Sequence, residues 1–355
     1  MKWLDRFLGN GDAAVTVPSM DGALHPNRVL EDAAVVMLEE GVDNLVSSPS
    51  GTFCTSDGRI LRLAAGAATE VAVMPAAVTA LALADDGRIA AGLADGSVSL
   101  LDPSGRVLSS FRMAEGPGCI TALAFSPSGL AVCIGSAKHA RAEWKADLMS
   151  LNRLGSIWRC PPDGGRPEKI AGGLGFPYGV VHTPEHGLVV SESWANRLVA
   201  VEKPGMPAVL DDLPGYPSRI STAPGGYLLS VFAPRSQLIE FVLREKSYRQ
   251  EMMRSIPQEF WIAPSTHAAR TFLEPLQGGA LKQLGMLKPW APTRSYGLVI
   301  ALDGDFTPVA SYHSRADGVF HGVTSAVNAD GVLLASSLGA GEIRRVDLSA
   351  EEVRT

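Results

Sequence analysis

Apolar positions in this chain gather in short β-rich runs, and six times such a run breaks at a polar turn ending in glycine and resumes as a second run. The pairs are NLVSSPSG-TFCTS, ALALADDG-RIAAGL, ALAFSPSG-LAVCIG, VVHTPEHG-LVVSES, ISTAPGG-YLLSVF and SAVNADG-VLLASS, with turn glycines at Gly51, Gly87, Gly129, Gly187, Gly226 and Gly331. Gly, Asp and Ser at these places supply the positive φ and the local side-chain bonding of a tight hairpin. A third β-rich run follows most pairs: DGRILRL from Asp57, DGSVSLL from Asp95, GSIWRC from Gly155, NRLVAV from Asn196 and GEIRRV from Gly341. Each repeat is too small to bury its own faces, so the pattern predicts an all-β, six-bladed β-propeller.

The blades start near Gly41, Ala77, Gly118, Gly175, Leu213 and Gly318. The sixth runs out of chain after its third strand, while AAVVMLEE around Val35 reads as a strand with no other partner. Pairing the two ends closes the ring and removes exposed sheet edges. Residues 1–26 are then an arm, with a short amphipathic turn expected at Trp3 to Leu8, and residues 27–355 form one propeller. Two repeats are stretched between their second and third strands: blade 3 by residues 136–154 and blade 5 by residues 234–294. In the latter, QLIEFVLREKSYRQEMMRSI alternates near the helical period; QLIEFVL is an alternative third strand of blade 5, but YGLVIALDG from Tyr296 is preferred for that role, because FTPVASYHS then follows as the outer strand. Because strands alternate in direction, both insertions fall over one mouth of the central channel, where they form a partly helical lid.

The 355 residues suit one propeller at roughly 40 to 50 residues per blade. Acidic and basic residues interleave to a net charge of −6 without any Lys/Arg-rich run, which argues against a nucleic-acid partner. The start has no apolar core of signal-peptide type, and no stretch approaches the roughly 20 apolar residues of a membrane span, so a cytoplasmic location without a membrane partner is expected. Cys54, Cys119, Cys133 and Cys160 lack metal-ligand spacing and read as small core residues. Walker, zinc-protease and serine-hydrolase patterns are absent, and GGLGFPYG near Gly172 precedes a strand instead of opening a helix.

Three segments, GFPYGVVHTPEHGLVVSESWANRLVAV, LPGYPSRISTAPGGYLLSVFAPRS and SYGLVIALDGDFTPVASYHSRADGVFHGVTSAVNADGVLLASSLG, together resemble the strictosidine synthase-like family. That family belongs to the wider group of six-bladed propellers that includes the SMP-30/gluconolactonase and paraoxonase-type calcium hydrolases. The resemblance runs from about Gly41 to Leu348 and implies a pocket at the channel mouth, with its key residues where each first strand begins. In the calcium hydrolases the places in blades 1, 3, 4 and 5 resemble a Glu, Asn, Asn, Asp set; here they read Asp43, Thr121, Tyr178 and Ser218, with Thr79 in blade 2. One carboxylate among hydroxyls is a poor calcium site, so no tightly bound cofactor is expected, calcium binding at most weakly through Asp43. The condensing enzymes of the family use a glutamate near the start of blade 6, where Thr324 stands in this chain, and threonine alone does not exchange protons.

The candidate catalytic residues are therefore Asp43, Tyr178 and His321, the last being the titratable group nearest the start of blade 6. Candidate substrate contacts are Thr121, Ser218, Arg219 and Thr324 on the ring and Trp261, His267 and Arg270 in the lid. Arg219 either pairs with Asp43 across the channel or holds an anionic substrate. Trp144, Phe260 and Trp290 extend the lid aromatics, which favour a flat or aromatic organic ligand. Glu192 and Arg197 read as a structural pair within one blade hairpin. Three functions stay open: a hydrolase or lyase acting on a small organic molecule without a tight metal, a non-catalytic binding or scaffold propeller, and a calcium-dependent lactonase or esterase.

Overall fold

A computed structural model describes residues 17–64, 67–113, 116–161, 166–271, 273–275, 282–283, 286–287 and 293–348. The turn expected at Trp3 to Leu8 and the lid residue Trp290 lie outside them. Six four-stranded antiparallel sheets follow one another around a ring. Their first strands, nearest the axis, are Val42–Ser48, Val78–Leu83, Ile120–Ser126, Pro177–Thr183, Gly215–Ala223 and Val323–Ala329, and each touches the first strands of both neighbouring blades. Blade 6 is completed by Ala34–Leu38, which pairs with Glu342–Asp347 in the register Ala34 to Arg345 and Leu38 to Glu342. The closure is reinforced just upstream, where the short helix α1 (Val29–Asp32) buries Leu30 completely and offers the Leu30 carbonyl to Arg344. Residues 22–24 lie against blade 5, with the Ala23 carbonyl accepting from Ser311.

Apolar residues fill the wedges between blades, so inner strands such as Ile89–Leu93 and Gly129–Ile134 are buried along their whole length, while outermost strands such as Ala67–Val73 and Val107–Arg112 stay largely exposed. All four cysteines are free and buried, Cys54, Cys133 and Cys160 within wedges and Cys119 beneath the lid. Burial pushes their thiols up, to about 12 for Cys54 and Cys119. Around the axis, polar side chains tie blade 1 to blade 2, 3 to 4, 4 to 5 and 5 to 6. Asn44 donates to the Val78 carbonyl (3.0 Å), Thr121 to Pro177 (2.5 Å), Ser191 to Ser218 (2.6 Å), and Ser218 to Val323 (3.1 Å). Ser325 ties blade 6 to blade 1 by accepting from the Leu45 amide at 2.8 Å. These bonds satisfy backbone groups that face the channel and would otherwise be buried without partners.

Both insertions leave the ring at the same end and share one core. Blade 3 contributes helix α2 (Trp144–Met149); blade 5 contributes α3 (Gln237–Arg244) and α4 (Lys246–Ser255). Helix α3 starts because Ser236 caps it, accepting from the Ile239 amide at 3.3 Å, and its buried stripe of Ile239, Val242 and Leu243 has helical spacing. That stripe packs with Leu148 and Met149 of α2, Met252 of α4 and Trp261. The lid then reaches across to blade 6, where the Thr266 carbonyl lies so close to Gly339 that an added Cβ would stand 1.7 Å from it. Only glycine admits that approach. The third strand of blade 5 is Leu298–Asp303, with Pro308–His313 outside it. No helix among the described residues is long and apolar enough to cross a membrane.

Candidate active site

Every first strand breaks register near its channel end: between Asp43 and Val46, Val78 and Ala80, Ile120 and Ala122, Pro177 and Gly179, Pro217 and Ile220, and Val323 and Ser325. A bulge turns a side chain out of the regular alternation. At or beside these six breaks stand Asp43, Thr79, Thr121, Tyr178, Ser218 with Arg219, and Thr324.

Asp43 is the hub of what they form. Its Oδ1 accepts from Arg219 Nη1 at 2.8 Å and from the Thr324 hydroxyl at 2.6 Å, and its Oδ2 is bound by Arg141 Nη2. Burial alone would favour the neutral acid, but Arg219, then Arg141, then the Thr324 hydroxyl outweigh it and hold the carboxyl well below the usual carboxylate range. Arg219 also donates through Nη2 to the Thr79 carbonyl at 2.9 Å. Arg141 Nη2 donates a second bond, to the Tyr178 phenol oxygen at 3.1 Å, and the Arg141 and Arg219 guanidinium carbons lie 5.6 and 5.3 Å from the Tyr178 ring centre. Carboxylate, phenol and two guanidinium groups thus plug the channel.

Above the plug is a cavity of about 310 Å³, lined by Thr79, Arg141, Trp144, Phe176, Tyr178, Phe232 and Thr266 together with small residues. Its aromatic wall is interlocked. Trp144 meets Phe232 edge-on at 5.3 Å, Tyr178 meets Phe232 at 5.7 Å, and Phe176 stacks at 4.6 Å on Trp194 behind it. Phe176 holds φ at +57°, a conformation that costs a bulky residue about 1–3 kcal/mol and persists only where the surroundings enforce it. Trp194 is fixed in turn by its indole N–H on Asp147 (2.9 Å), a buried carboxylate that also binds Ser136, His139 and Asn152.

The structure brings together Asp43, Arg219, Tyr178 and Thr324 from the sequence expectations and adds Arg141, which the sequence reading missed. It places the others elsewhere. Thr121 and Ser218 are fully buried and donate to neighbouring-blade carbonyls, so their hydroxyls serve the ring and not the cavity. His321, read as catalytic, is also buried: its Nδ1 meets Ser295 Oγ at 2.8 Å and its Nε2 the Arg315 carbonyl at 2.7 Å. Burial favours its neutral form, and neither nitrogen is free for a substrate. In the lid, Trp261 is buried against α4 with its indole N–H on the Ile256 carbonyl (2.8 Å), His267 Nδ1 lies 2.9 Å from the Ala268 carbonyl, and Arg270 is exposed. None of the three lines the cavity. Trp261 packs the lid's own core, because a small helical insertion must bury something of its own.

As a cation site the plug fits badly. Both Asp43 oxygens are bonded to guanidinium nitrogens, the neighbouring hydroxyls donate to fixed acceptors, and no cluster of three or more His, Cys, Asp or Glu suited to a metal occurs among the described residues. Glu192 behaves as expected of a structural residue, buried between Arg153 (2.6 Å), Arg197 (2.7 Å) and the Gly175 amide (2.8 Å).

No family model matches the chain, and no curated protein matches it. Solved structures do. One is a structural-genomics target given a provisional gluconolactonase assignment, 11% identical, with a TM-score of 0.51 over 89% of this chain and 91% of that one. Another is a gluconolactonase of Xanthomonas campestris described as important in glucose secondary metabolism, 14% identical, with a TM-score of 0.50 over 90% of this chain and 89% of that one. At such identities the likeness extends to the fold: the chain is a six-bladed β-propeller of the architecture found in those proteins.

Proposed function

We propose that the channel-mouth cavity binds a small, flat, largely apolar organic molecule and acts on it as a hydrolase of lactone or ester type, without a tightly bound metal. The observation that supports this reading is the Arg141–Tyr178 pair on the floor of an aromatic cavity. Because Arg141 donates to the phenol oxygen, the phenol keeps its own proton to give, and the carbonyl oxygen of a bound lactone or ester is the acceptor that fits. A donor fixed among aromatic rings stabilises charge developing on such an oxygen better than mobile water does. A calcium ion at Asp43 would instead face two guanidinium groups. The gluconolactonase names of the two fold neighbours agree with hydrolase chemistry, and the strictosidine synthase-like resemblance of blades 4 to 6 agrees with a metal-free variant of the propeller.

One observation favours a second reading, a propeller that binds such a molecule without turning it over. Among the described residues, the cavity lining contains no carboxylate or imidazole to accept the proton of an attacking water. A panel of aryl esters and aromatic lactones, assayed with and without EDTA, separates the two. Under the first reading hydrolysis is indifferent to EDTA and falls about a hundredfold or more in Tyr178→Phe. Hydrolysis untouched by Tyr178→Phe would overturn it, and saturable binding without product would establish the second.

A further inference from the structure

We infer that the ligand of the channel-mouth cavity is an organic anion: a flat aromatic carboxylate whose charged end rests on Nη1 of Arg141 while its rings lie against Trp144, Phe176 and Phe232. The inference rests on the assignment of that cavity as the ligand site and adds the chemical class.

Charge is the first argument. Two guanidinium groups converge on the single carboxylate of Asp43, so direct pairing leaves one positive charge without a counter-charge in a largely buried cluster. Such an imbalance is costly unless an anion completes it. The neighbouring acidic groups do not. Asp147 is taken by Ser136, His139, Asn152 and Trp194 and bonds neither arginine, while Glu143 is exposed and caps the Ala140 amide at 2.9 Å.

Geometry is the second. The two arginines are not equivalent: Arg219 is wedged below, between Asp43 and the Thr79 carbonyl, whereas Arg141 arrives from the blade 3 insertion and lines the cavity. Arg141 uses Nη2 for both of its hydrogen bonds, to Asp43 and to Tyr178. Among the described residues its Nη1 has no hydrogen-bond partner, so the guanidinium, which lines the cavity, keeps N–H donors for a ligand carboxylate oxygen. The rest of the lining is apolar or aromatic apart from three hydroxyls, so a ligand that matches it has one charged end and a flat apolar body.

Matched probes test this: 2-naphthoate and its neutral isostere 2-naphthamide, titrated into the full-length protein at low ionic strength and followed by tryptophan fluorescence and calorimetry. Naphthoate should bind about ten- to a hundredfold more tightly than naphthamide, as expected for a charge-assisted hydrogen bond. Arg141→Gln should erase that preference while Arg141→Lys keeps part of it. Both variants leave Asp43 paired with Arg219, and far-UV circular dichroism checks that they fold. Trp144→Ala should weaken both probes alike. Equal or tighter binding of naphthamide by the unaltered protein, with Trp144→Ala still weakening it, would overturn the anion class and leave the site standing. If neither probe binds, or if Trp144→Ala changes nothing, the channel mouth is not the ligand site and the inference falls with it.

Discussion

At the hairpin end the central channel widens to about 730 Å³, walled by Ser47, His182, Ser221, Thr222 and the tight turn of Asp85, Asp86 and Arg88. At the opposite end it narrows to about 310 Å³ and is walled by aromatic rings. All six first strands line the wide end, whereas the narrow end takes Thr79 and Tyr178 from them, and the Asp43 plug lies between the two. What differs is the origin of the remaining residues. The wide end is lined by first strands and their hairpin turns, the parts that every blade repeats. The narrow end adds Arg141, Trp144 and Thr266 from the two insertions. A repeat architecture builds a ring from nearest-neighbour packing, so its regular positions are committed to holding blades together. Chemistry then falls where the chain departs from its repeat.

The largest effect that can break this comparison removes both ends together. A chain lacking residues 1–38 loses the strand paired to Glu342–Asp347 and the buried Leu30, which opens a sheet edge and the ring at once. Cooperative thermal unfolding should disappear. If it persists unchanged, the ring does not depend on this closure.

Next in size is the plug. Asp43→Ala leaves Arg219, almost fully buried, without its carboxylate, and should cost about 3–5 kcal/mol in urea unfolding. Arg141→Gln should cost much less, since Arg141 keeps solvent contact and Asp43 retains Arg219. Equal losses would mean that lid and plug form one cooperative unit. The pH dependence has a definite sign. The folded carboxyl of Asp43 ionises at lower pH than the unfolded one, near 3.9, so its stabilisation is complete above that pH and is lost as pH falls from about 4 toward the folded value. The acid limb of the stability profile should be shallower in Asp43→Asn.

Smaller still is a change confined to the narrow end. In Gly339→Ala a methyl group displaces the Thr266 carbonyl, so the lid must lift from blade 6. Ligand affinity at the mouth should fall several-fold, and hydrogen exchange should quicken in the lid and not in the blade sheets. His182→Ala, at the wide end, should leave affinity unchanged. A matching loss there would show that the plug does not separate the two cavities.

The contrast between the ends also explains what was legible in the sequence. Hairpin glycines and alternating runs are local signals with a fixed period, so blade count, strand order, the closing strand and the helix from Gln237 could all be read from them. Asp43, Tyr178, Arg219 and Thr324 could be placed because position in the repeat fixes height in the channel. Arg141 could not, since SAKHARAEWKADLMSLNRL has no counterpart in another blade and hence no register. The only cue was a basic residue in an insertion expected to lie over a channel that holds a carboxylate. His321 and Trp261 misled for a related reason. A titratable or aromatic side chain looks functional until its partners are known, and those partners, Ser295, Arg315 and Ile256, are set by loop packing that spacing does not encode.

The smallest expected effect is none at all, and it bears on the plug that separates the two ends. Anything bound only by the folded state raises its stability by mass action, so a resident calcium ion would make thermal unfolding sensitive to chelator. A hard cation needs several oxygen ligands and gains affinity with their charge. Here the one carboxylate at the right height is bonded to two guanidinium groups and a threonine hydroxyl, and the hydroxyls of Thr121 and Ser218 donate to backbone carbonyls. The midpoint of unfolding should therefore be the same with and without EDTA, and added calcium should not raise it. A drop of several degrees on chelation, reversed by calcium, would mean that Arg141 and Arg219 give way to a cation at Asp43. The narrow end would then be a metal site closed by its own side chains, and the anion preference at Arg141 would have to vanish with the metal bound.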